Sequence, residues 1–124
     1  GKMPIIKIDE VEKQPFPGGA TYQTIVGDDK GSTPIRLGLQ VSEPGYSTGT
    51  HSHPYLEVIT VVEGTGEAWV EGTAGVAAIE AGMTLVLPAG VKHGFRATGT
   101  GPLKTYGVHA SSDRLVDFYP EDDA

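Results

Sequence analysis

The sequence predicts an all-β protein of one domain, folded as a sandwich or barrel of short strands. Three observations carry this. Eighteen glycines and nine prolines among 124 residues are about a fifth of the chain, well above ordinary usage, and that much punctuation breaks helices. β-branched and aromatic residues gather in short runs, and turn signals return every ~8–12 residues between them, the spacing of short antiparallel strands. The length suits a single compact unit with one core to bury.

Along the chain, Ile5, Ile6, Ile8 and Val11 form an apolar opening, and residues 14–19, with Pro15, Pro17, Gly18 and Gly19, read as a loop. Residues 21–26 are rich in β-branched side chains and end in the turn sequence 27–31. Residues 35–41 alternate, with Ile35, Leu37, Leu39 and Val41 on one face and Arg36, Gly38 and Gln40 on the other, as in a strand whose second face is polar. A polar loop leads into a β-prone run over 55–62, joined through Gly64-Thr65-Gly66 to residues 67–71 as an expected hairpin. Short strands follow at 76–79, 83–87, 91–98 and 103–109, separated by turns at 80–82, 88–90 and 99–102. Residues 111–124 allow two readings, a helical turn capped by Ser112 or an edge strand over 114–119. Their acidic end is expected to be solvated.

Nine basic against sixteen acidic residues leave a net charge of −7. No Lys/Arg cluster offers the basic face that a nucleic acid or an anionic membrane surface requires. With no cysteine, a disulfide framework, Cys-ligated zinc and thiol catalysis are excluded. No apolar stretch approaches the ~20 residues of a membrane helix, and no leader of the signal type is visible. Gly1 and Lys2 ahead of Met3 read as an added remnant. The expectation is a cytoplasmic protein without nucleic-acid or membrane partners.

The informative residues are His51, His53, Glu57 and His93. On an extended strand, side chains two apart face the same way, so His51, His53, Tyr55 and Glu57 share a face, and His93 can close the set from a neighbouring strand. Three imidazoles and one carboxylate suit a divalent transition metal and leave positions open for water or substrate. The framing adds specificity. Gly45, five residues, His51-Ser52-His53, three residues, Glu57, six residues and Gly64 resemble the first signature of the cupin superfamily at every fixed position. Gly82, five residues, Pro88-Ala89-Gly90, two residues and His93 resemble the second, with 17 residues between Gly64 and Gly82. One place departs: the second signature usually ends in Asn where this chain has Ala97.

The resemblance implies an antiparallel jelly-roll β-barrel over residues 1–124, with its core at 31–110, an N-terminal arm at 1–30 and a tail at 111–124. It implies one divalent transition metal per chain (Fe, Mn, Ni or Zn) held by His51, His53, Glu57 and His93 near one mouth. Around it, Arg36 is a candidate anchor for a substrate carboxylate, Gln40 shares its face, Phe95 is an apolar wall two residues after His93, and Tyr55 is a candidate proton donor. Tyr46 and Tyr106 are weaker candidates. His109 is expected to be structural or exposed, Met83 to lie in the core, and Trp69 to pack in the core or at a subunit contact. The outward face of the motif strand, with Leu56, Val58, Thr60 and Val62, suggests a homodimer.

The functional expectation is a metal-dependent enzyme for a small oxygen-rich substrate such as a sugar, uronate or carboxylic acid, working as an isomerase, lyase or dioxygenase. The alternative is a non-catalytic metal-dependent module that binds or senses a small ligand. Fold alone does not choose between them.

Overall fold

A computed structural model describes residues 4–124, so the reading of Gly1 and Lys2 lies outside the described residues. In chain order the strands are β1 (Gln14–Phe16), β2 (Ala20–Val26), β3 (Arg36–Ser42), β4 (His51–Ser52), β5 (Glu57–Glu63), β6 (Thr65–Val70), β7 (Ala77–Glu80), β8 (Thr84–Leu87), β9 (His93–Ala97), β10 (Leu103–His109) and β11 (Asp117–Phe118). They form two antiparallel sheets, one ordered β1-β2-β3-β10-β5-β8 and the other β11-β4-β9-β6-β7. From β3 onward the chain passes from one sheet to the other at almost every connection. That alternation makes the fold a jelly roll.

The turn that reads as a hairpin, at Gly64, is therefore a corner between sheets. β5 pairs with β10 and β8, whereas β6 pairs with β7 and β9, so Gly64 does not close a hairpin. Its φ of +88° swings the chain across, and a Cβ there would lie 2.3 Å from the Pro102 carbonyl oxygen, which leaves glycine as the residue that fits. The reverse correction applies to residues 14–19. They hold a short edge strand, with Pro15 opposite Thr21 and the ring of Phe16 stacked on Tyr22 at 5.2 Å. An edge position tolerates the N–H that Pro15 lacks.

The interior changes character along each strand. β5 runs inward from Glu57 through Ile59 to Val61, β9 from His93 through Phe95 to Ala97, and β10 from His109 through Thr105 to Leu103, all of them buried. One end of the barrel is thus lined by titratable groups and the other by an apolar cluster of Ile59, Val61, Ala68, Ile79, Phe95, Ala97 and Leu103. Trp69 is buried and donates Nε1–H to Thr50 Oγ1 at 2.8 Å. Met83 is not in the core: it follows the 80–82 turn and is 42% exposed. On the outer face of the larger sheet, Val62 and Val86 are exposed, while Gln23 is covered because its amide donates to the carbonyls of Ile8 and Val11.

The C-terminal tail is docked, although the acidic side chains of Asp117, Glu121, Asp122 and Asp123 stay exposed as expected. No helical turn starts at Ser112; of the two readings, the edge strand survives in shortened form as β11, paired with β4. Beyond it, Asp123 accepts from the Thr50 N–H at 2.6 Å, Thr50 Oγ1 donates to the Asp122 carbonyl, and Lys92 pairs with Asp122 at 2.9 Å. Asp122 and Asp123 thus find specific donors just before β4 and just before β9. Among the described residues no helix is long and apolar enough to cross a membrane.

Candidate metal centre

His51, His53, Glu57 and His93 come together as the sequence predicts, although by a different route. Residues 51–57 are not one strand. β4 ends at Ser52, the chain bends through Pro54, and Glu57 begins β5 in the opposite sheet. The four side chains converge because the chain crosses the barrel between His53 and Glu57. His93 lies directly opposite His51 in the β4–β9 pairing, and the Gly90 N–H bonds to the His53 carbonyl at 2.8 Å, which ties the turn before His93 onto the first motif.

All four residues are buried, and one donor atom from each lies within 4.8 Å of the others. Each histidine is oriented through its Nδ1, which faces a backbone carbonyl: Gly49 for His51 at 2.9 Å, Leu115 for His53 at 2.5 Å and Val91 for His93 at 2.9 Å. A carbonyl can only accept, so Nδ1 carries the proton and Nε2 keeps its lone pair free, the arrangement that suits a metal ligand. Burial, followed by the neighbouring His93, pushes His51 down to about 4, so its ring is neutral at ordinary pH. Burial would push Glu57 up, but the neighbouring imidazoles, foremost His109 through its hydrogen bond, outweigh it and hold the carboxyl well below its usual range. Glu57 Oε1 lies 3.1 Å from His53 Nε2 and 3.5 Å from His93 Nε2. That oxygen and His93 Nε2 are buried without a hydrogen-bond partner. Orphaned buried acceptors facing one another are costly unless something cationic sits between them. The donor set fits a divalent metal.

The other carboxylate oxygen has a partner that sequence reasoning missed. His109 Nε2 donates to Glu57 Oε2 at 2.9 Å, and His109 Nδ1 accepts from the Tyr55 hydroxyl at 2.7 Å. The Leu115 N–H donates to that hydroxyl at 3.2 Å in turn. His109 is therefore buried and structural, and it holds a ligand without joining the four. The Tyr55 hydroxyl is occupied by this relay, and its pKa is pushed up to about 12, chiefly by burial.

A narrow cavity adjoins the cluster, lined among others by Glu57, Gln40, Phe95, His109, Tyr22 and Arg114. Gln40 and Phe95 are placed where the sequence puts them. Arg36 is buried on the inward face but does not reach the cavity. Its guanidinium bonds to the Ser112 carbonyl at 2.9 Å and to Thr24 Oγ1 at 3.0 Å, with Asp29 at 3.6 Å. Tyr46 is buried away from the cavity lining, and Tyr106 lies on the outer face. Tyr22 and Arg114 were missed because one sits in a run read only as β-prone and the other in an ambiguous tail.

A family model described as "Cupin domain" matches residues 38–109. The chain belongs to the cupin family. The 5-nitrosalicylic acid 1,2-dioxygenase of a Bradyrhizobium species is 34% identical over 97 residues, covering 71% of this cupin and 46% of that protein. The cupin therefore spans about half the length of this curated relative. Among solved structures, the polyketide cyclase RemF from Streptomyces resistomycificus superposes with a TM-score of 0.80 at 19% identity, over 98% of this chain and 89% of that one. A conserved protein with a double-stranded β-helix domain from Klebsiella pneumoniae gives 0.73 at 21%, over 94% and 96%. An oxalate oxidase gives 0.72 at 20%, over 85% of this cupin and 57% of that chain. At these identities the structures attest the fold.

Proposed function

We propose that this cupin is a metal-dependent enzyme of the dioxygenase type, acting on a small oxygen-rich organic acid. The observation that carries the reading is the donor set itself: three imidazoles locked through Nδ1, and a carboxylate with one oxygen held by His109 and the other left unpartnered. When bound there, a divalent metal such as iron supplies open coordination positions for substrate and dioxygen. The protein's own share is positional. His109 and Tyr55 fix the Glu57 carboxylate, the carbonyls of residues 49, 91 and 115 fix the rings, and Phe95 and Ile59 wall off water from one side of the cavity. Tyr22 places an unpartnered hydroxyl, kept protonated by burial, against the same cavity. It is a better placed proton donor than Tyr55. The dioxygenase relative supports the reaction type, and its name supports an acidic substrate.

The test is oxygen uptake by protein loaded with ferrous iron, in the presence of salicylate, 5-nitrosalicylate and aliphatic hydroxy acids. Uptake with at least one acid, abolished in His53→Ala, is the expected result. Tight acid binding without uptake under iron, manganese, nickel or zinc would support the non-catalytic binding module instead. The reading retains a homodimer formed through the outer face around Val58, Val62 and Val86, for which light scattering should give twice the chain mass.

A further inference from the structure

The tail reaches the mouth of the barrel as a strap, and the strap delivers a cation. Ser112 anchors one end: its carbonyl accepts from Arg36, and its hydroxyl bonds with Asp28. Leu115 anchors the other, its carbonyl taken by His53 and its N–H by Tyr55, and β11 continues onto β4. Arg114 lies between these anchors. Its guanidinium carbon is 4.9 Å from the centroid of the Phe16 ring, and the residue lines the cavity that Glu57 also lines.

Arg114 makes no ion pair and no side-chain hydrogen bond with any described residue, although it is half-buried. The chain's other interior arginine, Arg36, has both terminal nitrogens engaged, by the Ser112 carbonyl and Thr24 Oγ1, and only its Nε is without a partner. The guanidinium nitrogens of Arg114 keep contact with solvent, so its donors stay open to an incoming ligand. The face of Phe16 holds the plane and leaves the donor fork free. On the same cavity the Tyr22 hydroxyl is also buried, 5% exposed as a residue, and without a partner. Gly38 permits this, since a Cβ there would fall 2.1 Å from that hydroxyl oxygen. Two unpaired donors thus converge beside the metal cluster. With a divalent cation in place, that cation and Arg114 together outweigh the charge of Glu57, so the cavity favours an anion. Its free space is about 30 Å3, about the room of one water and hence of one small polar group.

We propose that Arg114 and Tyr22 form a carboxylate-binding subsite, Arg114 through its planar fork and Tyr22 through its hydroxyl, which orients a small carboxylic acid with its remaining oxygens toward the metal ligands. This rests on the reading of the site as acting on organic acids, and it moves the anchoring role expected of Arg36 to Arg114. It also makes the strap a specificity element, because the residue that selects the acid is carried by the segment that spans the mouth.

The experiment is calorimetric titration of zinc-loaded protein, which is redox-inert, with salicylate, glycolate and malonate, and with the neutral analogue salicyl alcohol. At least one acid binds the wild type, and Arg114→Gln weakens it by at least about tenfold, the effect of losing a charged hydrogen-bond pair. Salicyl alcohol is unaffected and zinc remains at the wild-type stoichiometry. Arg114→Lys, which keeps the charge without the fork, falls between, and Tyr22→Phe weakens the same acid by less. Equal affinity of wild type and Arg114→Gln for every acid that binds, or no binding of any of the three acids by the wild type, overturns the subsite. Arg114-dependent binding without oxygen uptake under iron keeps the subsite and removes the dioxygenase reading. Oxygen uptake with an unchanged KM in Arg114→Gln does the reverse.

Discussion

The two ends of this barrel are built from the same strands but solve opposite problems. At one end Val61, Ala97 and Leu103 are at most 2% exposed and meet only apolar neighbours, so burial itself stabilises them. At the other, Thr50, His51, Ser52, His53, Glu57, His93 and His109 are nearly as buried, and each must be compensated by a specific partner. Backbone carbonyls, the His109–Tyr55 relay and the C-terminal strap supply most of that compensation. Glu57 Oε1 and His93 Nε2 are left over. The apolar end can hold the fold without a ligand, whereas the polar end is completed by one.

The sharpest way to test this division is to damage the apolar end alone. Leu103→Ala, at a fully buried position, should cost about 2–5 kcal/mol in urea denaturation while leaving the metal stoichiometry of the folded protein unchanged. Loss of metal in that variant would mean the ends are not separable. The converse is metal removal. A metal bound only by the native state stabilises it by about 2.7 kcal/mol at a hundredfold excess over Kd, so chelation should lower Tm. Hydrogen exchange should locate the change at residues 50–57, 93 and 109–118 and spare 59–68. Uniform loss of protection would contradict the division.

Ligand variants divide the polar end further. His51→Ala and His53→Ala should both abolish stoichiometric metal binding, measured by elemental analysis. Only His53 also holds Leu115 on the strap, whereas His51 bonds locally to Gly49. Trypsin should therefore cut after Arg114 faster in His53→Ala than in His51→Ala, and equal rates would argue that the strap is held by β11 alone. His109→Ala comes next in size. From the sequence, its removal should leave metal content untouched, but its bond to Glu57 Oε2 predicts weaker metal binding by about 10–100-fold, the usual effect of removing a ligand's orienting partner. Competition with a calibrated chelator measures this.

What could be read from the sequence follows the same line between local and distant causes. Residue spacing was enough to single out the four clustered residues and Phe95, although the four meet through the crossing between His53 and Glu57 and the β4–β9 pairing, which local spacing does not show. The corner at Gly64 resembled a hairpin because glycine with positive φ serves both, and only the pairing of β6 with β9 tells them apart. Arg36 was misplaced for a comparable reason: whether it is free to face the cavity depends on where Ser112 docks, 76 residues away. His109 gave no signal beyond ending β10, since its partner Glu57 is a register neighbour on β5 and invisible to periodicity. Composition was enough to leave the acidic side chains of the tail in solvent, but not to dock it, because the groups it meets lie beside β4 and near β9.

The smallest effect concerns the anchor of the strap. Hydrogen bonds from the Ser32 side chain and the Lys30 N–H, foremost among the contacts on its carboxylate, hold Asp28 down to about 2. Its folded pKa lies below the ordinary aspartate value of 3.8, so the unfolded chain takes up this proton first. The resulting stability is present above about pH 4 and is lost as pH falls toward the folded value. Asp28→Asn keeps the side-chain shape and removes the charge, so wild type should be slightly the more stable at pH 5, with the gap closing as urea titrations approach pH 2.5. The Ser112 hydroxyl donates to the Asp28 backbone carbonyl, so the strap should remain docked in this variant, and trypsin cleavage after Arg114 should keep its wild-type rate. A stability gap that does not change with pH would show that Asp28 acts through hydrogen bonds that asparagine also makes. Accelerated cleavage would show that the carboxylate, and not the backbone alone, fixes the strap across the metal site.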